Sequence, residues 1–272
     1  MWHLHSIPHP VAVDGFYTAF TRKIPQNFIF RGETHDFYEL LLLLKGSVGI
    51  TAGSDSLVLE APAAILHPPM EFHSLRSVDA EEAEVMVFSF SASAMPAFKK
   101  RRFSLSDKDL QRAEAVLMHL HHAMEFDELQ VVGQHKGKER EAQEALLEFE
   151  ILLLSLNEHD ATGMRDGSAG AKNYRRALAI IEENLSIPLD TATLSRLAHM
   201  SPSLLKKTFS RYAGVGVMEY LRNRKVNAAI PRLRAGESVK EIAASLGFTD
   251  AGYFSTVFRR VTGHSPSHYR KN

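Results

Sequence analysis

The stretch SVKEIAASLGFTDAGYFSTVFRRVTGHSPSHYR, residues 238–270, decides how the rest of the chain is read. Val239, Ile242, Ala243 and Leu246 recur at helical spacing, and Gly247 supplies a tight turn. Tyr253, Phe254, Val257, Phe258 and Val261 then form one apolar side of a second helix, with Ser255, Thr256, Arg259 and Arg260 facing out. Two short helices about a glycine turn, the second offering hydroxyl and guanidinium groups, read as a helix-turn-helix able to enter a DNA groove.

The pattern occurs a second time upstream. Residues 191–199 predict a helix with Leu194, Leu197 and Ala198 inward. Met200-Ser201 makes the turn, and Pro202 takes the first helical position, where no N–H is needed. The following helix, to Tyr212, turns Leu204, Leu205, Thr208 and Phe209 inward and Ser203, Lys206, Lys207 and Arg211 outward. A linking helix over 217–235 joins the two units. At 1.5 Å per residue it is about 28 Å long, close to the ~34 Å of one DNA turn, so both reading helices can lie on one face of a duplex. Pro231 lies inside it. An interior proline removes one backbone hydrogen bond and costs about 3 kcal/mol or forces a kink, so a kink or break is expected near 227–231.

The overall charge of zero conceals an asymmetry. Residues 172–272 carry 17 Lys and Arg against 7 Asp and Glu, whereas the first 171 residues carry 15 against 25. A basic excess confined to the helical end is the electrostatic footprint of a polyanion partner. A length of 272 residues suits two domains, each with a core. The absence of cysteine excludes disulfides, thiolate-bound zinc and thiol chemistry. The longest apolar run, Leu40–Leu44, falls far short of the roughly 20 residues of a membrane span. MWHLHSIPHP lacks the layout of a signal peptide, so a soluble cytoplasmic protein without membrane association is expected.

Residues 1 to about 100 read as strands: 16–20, 28–30, 39–44, 47–51, 56–59, 63–66 and 84–90, punctuated by Gly32, Gly46, Gly53, Pro62 and Pro68-Pro69. Short strands at close spacing argue for a β-barrel or double-sheet jelly roll, with Leu40–Leu44 as a strand buried on both faces. From Ser104 the pattern turns helical. Ser104–Asp107 forms a capping region before Leu110, Ala113, Val116, Leu117 and Leu120. A second helix, 137–158, carries a wide apolar stripe. These two helices either pack on the barrel or form a dimer seam. DATGMRDGSAGA, residues 160–171, reads as a linker. The expected domains are 1–160, a linker 161–172, and 173–272.

This arrangement resembles the arabinose-operon-regulator (AraC/XylS-type) family of bacterial transcription factors. The resemblance is carried by IAASLGFTDAGYFSTVFRRVTGHSPSHYR, by the looser match from Asn173 onward, and in the first half by His35–Leu40, Lys45-Gly46-Ser47 and Pro68–Ser74. It implies an α+β multidomain fold: a cupin-like barrel with two packing or dimerisation helices, then an all-α domain with two helix-turn-helix units. It also implies a sequence-specific DNA-binding regulator, not an enzyme, whose barrel binds a sugar or related metabolite. The implied partners are double-stranded DNA, that effector, a second copy and RNA polymerase. Thr256 departs from the family, which usually has arginine or lysine there.

The DNA-contact candidates are Ser203, Lys206, Lys207 and Arg211 in the first unit, and Asp250, Ser255, Thr256, Arg259 and Arg260 in the second. Arg211, Arg259 and Arg260, late in their helices, suit phosphates. Lys206 and Lys207 fall where the family reads bases. The effector candidates are His35, Tyr38, Glu39 and His73. Glu33, His35 and Glu39 with His73 also approximate the metal-binding spacing of enzymatic cupins, except that a histidine would be expected at Glu33. Two readings follow: a divalent-metal site in a cupin-type isomerase or dioxygenase, or polar groups at a barrel mouth bonded to a sugar or to each other. The second is preferred, with no metal or cofactor expected. Trp2, Phe30, Tyr38 and Phe72 either stack on a sugar or belong to the core, the core being the simpler assignment. His3, His5 and His9 read as part of a mobile arm.

Overall fold

The computed structural model describes residues 5–53, 55–78, 82–96, 98, 101–156 and 168–270. Its N-terminal half is antiparallel throughout. The strands are β1 (Ala12–Ile24), β2 (Ile29–Glu33), β3 (Tyr38–Lys45), β4 (Ser47–Ala52), β5 (Asp55–Glu60), β6 (Ala63–His67), β7 (His73–Ser77), β8 (Ala83–Ala94), β9 (Arg102–Ser104), β10 (Met124–Asp127) and β11 (Gln130–Gln134). One sheet has the order β10-β11-β1-β8-β3-β6-β9, the other β2-β7-β4-β5. The expected strands are all present. The sequence reading missed β7, β9 and the β10–β11 hairpin.

Strand β3 shows why the sheets close on each other. Side chains alternate between faces, so Leu40 and Leu42 enter one core with Phe88, Phe149 and Leu152. Leu41 and Leu43 enter the other, between the sheets, with Ile50, Leu57 and Leu59. Four consecutive leucines, Leu40–Leu43, are no more than 5% exposed, as expected of a strand covered on both sides. The outer face of the larger sheet is roofed by α1 (Asp107–Ala123) and α2 (Glu139–Leu156). Ser106 and Asp109 form a capping box at the start of α1. Asp109 also accepts from Ser155 Oγ at 2.8 Å, bringing the end of α2 to the start of α1. The roof leaves Leu147, Ile151 and Leu154 of α2 between 42% and 48% exposed.

The C-terminal half contains α3 (Ala169–Glu183), α4 (Thr191–Leu197), α5 (Pro202–Tyr212), α6 (Val217–Arg234), α7 (Val239–Ser245), α8 (Ala251–Thr262) and α9 (Pro266–Tyr269). Because α3 starts at Ala169, capped by Ser168, residues 169–172 of the expected linker are helical. Residues 161–167 of that linker lie outside the described residues. Both helix-turn-helix units turn in the same way: His199 (φ 52°) follows α4 and Gly247 (φ 68°) follows α7, each in the left-handed region. Ser201 and Asp250 then cap the reading helices through the N–H of Leu204 and Tyr253. Three expected inward positions are corrected. Leu204, Tyr253 and Val261 are 40%, 53% and 36% exposed, because the apolar faces of α5 and α8 are narrower than the sequence pattern suggested.

Helix α6 serves two cores. Val217, Tyr220 and Leu221 pack with α3–α5, whereas Val226, Ala229, Ile230 and Leu233 pack with α7 and α8. It runs without interruption through Pro231, so the expected break is not there. Pro231 lies one turn from the C-terminal end and forfeits one backbone bond. Burial of Ile230 and Leu233 on either side holds the turn, which closes with Ala235 N–H donating to the Pro231 carbonyl.

The two halves touch through β2, β4 and β7. Thr51 Oγ1 and Ser74 Oγ both donate to the Tyr212 carbonyl, the latter at 2.8 Å. Phe72 is buried in the helical core, 5.0 Å from the Tyr220 ring. Arg234 pairs with Asp36 at 2.9 Å. Gly214 (φ 69°), between α5 and α6, lies so close to β2 that a Cβ there would be 2.3 Å from Arg31 Cα.

Candidate ligand cavity and nucleic-acid interface

A cavity of about 550 Å³ lies between the sheets, within the size range of small-molecule sites. Its walls are largely apolar: Phe20, Ile24, Phe28, Phe30, Leu41, Ile50, Val85 and Val87. Glu33, Glu39, His67 and His73 line one end together with Thr18 and Ser89, and Arg22, Asp127, Glu128 and Gln130 line it elsewhere. Thr18 donates to Ser89 at 2.7 Å, and Ser89 donates to Glu39 at 3.2 Å, so the carboxylate is held through a hydroxyl relay across three strands.

Of the expected effector residues, the structure brings His35, Glu39 and His73 together. His73 Nε2 is 3.3 Å from Glu39 Oε1 and 3.7 Å from Glu33 Oε1, and His35 Nε2 is 3.7 Å from Glu39 Oε2. Tyr38 is corrected. One position before Glu39 on a strand, it must face the opposite way, and it stacks on Phe90 against the helix-covered core. Phe30 does line the cavity, whereas Phe72 belongs to the helical core. Trp2 and His3 lie outside the described residues, and His5 and His9 are exposed. The sequence reading missed Arg22, Phe37 and His67. The alternation Thr18, Phe20, Arg22, Ile24 on β1 was the signal for Arg22.

The electrostatics of this end are set by burial and mutual charge. Burial alone would push the Glu39 carboxyl up, but the imidazoles of His35, His73 and His67 outweigh it and hold it well below the usual carboxylate range. Burial would lower His73, yet Glu33 and Glu39 raise it to about 10. Burial, then the charge on His73, pushes His67 down to about 4, although His67 Nδ1 donates to Glu71 at 2.9 Å. Glu71 also pairs with Arg101.

These opposed shifts predict a stability optimum. His73 binds a proton more tightly folded than unfolded, so its stabilisation is full below the ordinary value of 6.5 and is lost as pH rises towards about 10. His67 binds one more weakly folded, so stability falls as pH drops from 6.5 towards about 4. Thermal melts in chelator-containing buffer should peak near pH 6.5. A midpoint still rising between pH 7 and 9 would contradict the arrangement.

On the helical side, Ser203, Lys206, Lys207 and Arg211 of α5 are all exposed, as are Asp250, Thr256, Arg259 and Arg260 at or on α8. Ser255 is half-buried and donates to the Ala251 carbonyl at 2.8 Å. Thr256 donates to the Gly252 carbonyl at 3.1 Å. The Asp250 carboxylate caps α8, accepting from Tyr253 N–H at 2.6 Å. Asp250, Ser255 and Thr256 thus each have a local bond. The freer polar face is that of α5, with its two adjacent lysines. Part of α8 also faces the barrel, because a crevice of about 520 Å³ is lined by Tyr253, Thr256 and Arg260 on one side and by Glu33 and Thr34 on the other. Among the described residues no helix is long and apolar enough to cross a membrane.

Comparison with known proteins agrees with this division. Residues 16–149 match the model of an AraC-like ligand binding domain, and residues 194–272 match that of a helix-turn-helix domain. The uncharacterized HTH-type transcriptional regulator YijO of Escherichia coli is 27% identical over 144 residues, 53% of this chain and 51% of that protein. XylDLEGF operon transcriptional activator 1 of Pseudomonas putida is 36% identical over 104 residues, 37% of this chain and 31% of that protein. The match thus spans about half or less of these curated relatives. The solved structure of ToxT from Vibrio cholerae O395 aligns over 94% of this chain and 97% of that one, at 16% identity and a TM-score of 0.39.

Proposed function

The chain belongs to the AraC/XylS-type family of helix-turn-helix transcriptional regulators, and from that footing we propose that it binds specific DNA through α5 and α8 under the control of a small molecule held in the barrel. The single observation that supports this best is the pairing of two capped helices that carry exposed polar side chains with a cavity in the other domain. The apolar walls favour an effector with an apolar body and a polar head at the Glu39 end, whereas a sugar rests on the family resemblance alone. We assign the protein no catalytic activity and place it in the cytoplasm, with DNA. RNA polymerase remains a partner by resemblance. The ligand must favour one arrangement of the domains over the other, or it shifts nothing.

The deciding experiment is retardation of DNA from upstream of the protein's own gene, with excess non-specific competitor, with and without candidate effectors. Failure to retain that DNA preferentially at low salt would sink the proposal. Within it, Lys207→Ala should change sequence preference by about 1–3 kcal/mol at one base pair. Arg260→Ala should weaken all sequences alike and reduce the salt slope by about 1. Equal, sequence-independent losses from both would remove the division between base-reading and phosphate-holding contacts.

A homodimer through α2 is the second element of the proposal. Leu147, Ile151 and Leu154 follow one another at helical spacing and are exposed on the outside of the roof. Light scattering on the Ile151→Glu variant should report a monomer where the parent protein is a dimer.

A further inference from the structure

The polar end of the barrel cavity has the form of a metal site. Glu33, His35, Glu39 and His73 each offer one donor atom, and these four atoms lie within 4.8 Å of one another. A first-row divalent ion about 2.0–2.2 Å from each donor needs donors no more than about 4.4 Å apart. The pocket therefore needs to contract by only a few tenths of an ångström.

The imidazole orientations support the same reading independently. His35 Nδ1 lies 2.9 Å from the Phe37 carbonyl, and His73 Nδ1 lies 3.2 Å from the Glu71 carbonyl. A carbonyl oxygen only accepts, so in both rings Nδ1 carries a proton and Nε2 is the atom turned towards the carboxylates. This is the second-shell arrangement that fixes a histidine for metal ligation. Both Nε2 atoms are buried without a hydrogen-bond partner, and His73 is 3% exposed. Facing carboxylates across 3.3–3.7 Å, each Nε2 calls for a cation between them, either a proton or a metal ion that displaces it. The rings are also held rigidly: His35 stacks on Phe37 at 3.8 Å, and His73 on His67 at 4.3 Å.

We propose that Glu33, His35, Glu39 and His73 bind one divalent first-row transition-metal ion at the mouth of the barrel. Two imidazoles and two carboxylates suit such an ion better than magnesium or calcium, which prefer all-oxygen shells. Two carboxylates also neutralise its charge at the edge of an apolar cavity. The inference stands apart from the regulatory reading, since DNA retention and metal binding can each fail while the other succeeds.

Cobalt(II) is the probe. Full-length protein stripped with chelator and titrated with Co(II) should take up one equivalent and develop a visible d–d band that zinc abolishes. His35→Gln and Glu39→Gln should each weaken that uptake at least 10-fold, with circular dichroism confirming that each variant is folded. If one of them fails to fold, the other carries the test. A variant with His3, His5 and His9 replaced by alanine should bind as the parent does, as should one lacking the stacked pair His264 and His268. No stoichiometric cobalt in the parent protein, unchanged uptake in His35→Gln and Glu39→Gln, or loss of uptake in either histidine-deletion control would overturn the assignment.

Discussion

Phe149→Ala is expected to destabilise the N-terminal domain by about 3–5 kcal/mol. Phe149 is fully buried on the inner face of α2, with its ring centroid 5.0 Å from Phe16, 5.1 Å from Phe88 and 4.9 Å from Phe90. It is thus the point where the helical roof meets the two central strands β1 and β8. Truncation forfeits the buried apolar area and leaves a cavity that a sheet fixed by backbone bonds on both sides cannot collapse to fill. The lost edge-to-face contacts add about 0.5–1.5 kcal/mol each to the area term, which places the effect towards the upper end. Urea melts followed by circular dichroism, compared with Ile151→Ala on the exposed side of the same helix, give the measurement. Ile151→Ala should stay within about 0.5 kcal/mol when measured below the dimer dissociation concentration. A loss under about 1 kcal/mol for Phe149→Ala would mean that the roof is not packed as described.

The second large effect is expected at Gly214. An alanine there meets two obstacles. The left-handed backbone costs about 1 kcal/mol for any residue with a Cβ, and that Cβ would sit 2.3 Å from Arg31 Cα. Backbone cannot swing aside as a side chain can, so β2 and the α5–α6 turn must separate. That separation also strains the bonds from Thr51 and Ser74 to the Tyr212 carbonyl nearby. Gly236 provides the control, with φ 87° and nothing within 4 Å of an added Cβ. Gly236→Ala should show the backbone cost alone. Gly214→Ala should add loss of hydrogen-exchange protection at the barrel–helix contact and a larger radius of gyration in solution scattering. Equal behaviour of the two variants would show that the domains do not rely on this approach.

Much of this was legible from residue order. Leu40–Leu44 read as a strand between two cores, which holds for all but the half-buried Leu44, and Ser201-Pro202 marks a helix start that the structure places at the same residue. Tyr38 was misplaced although alternation from Glu39 forbade it. There the resemblance to a ligand-binding motif outweighed a stricter geometric rule. The strand β7 was hidden because HSLRS is short and polar, its histidine and serine turned towards the cavity and the helical domain. The β10–β11 hairpin was hidden between two strong helical patterns, in segments too short to assert alternation. No break occurs at Pro231, because the burial of Ile230 and Leu233 that holds the turn comes from helices distant in sequence.

Glu33 lines both the barrel cavity and the crevice that faces α8. One carboxylate therefore faces two clients, a guest inside the barrel and the basic Arg260 side of α8. On the proposed reading of α8, whatever draws it inward withdraws negative charge from the surface offered to DNA phosphates. Thermodynamic reciprocity then makes the exchange symmetrical: a guest that tightens DNA binding by some factor is itself held tighter by DNA, by that same factor.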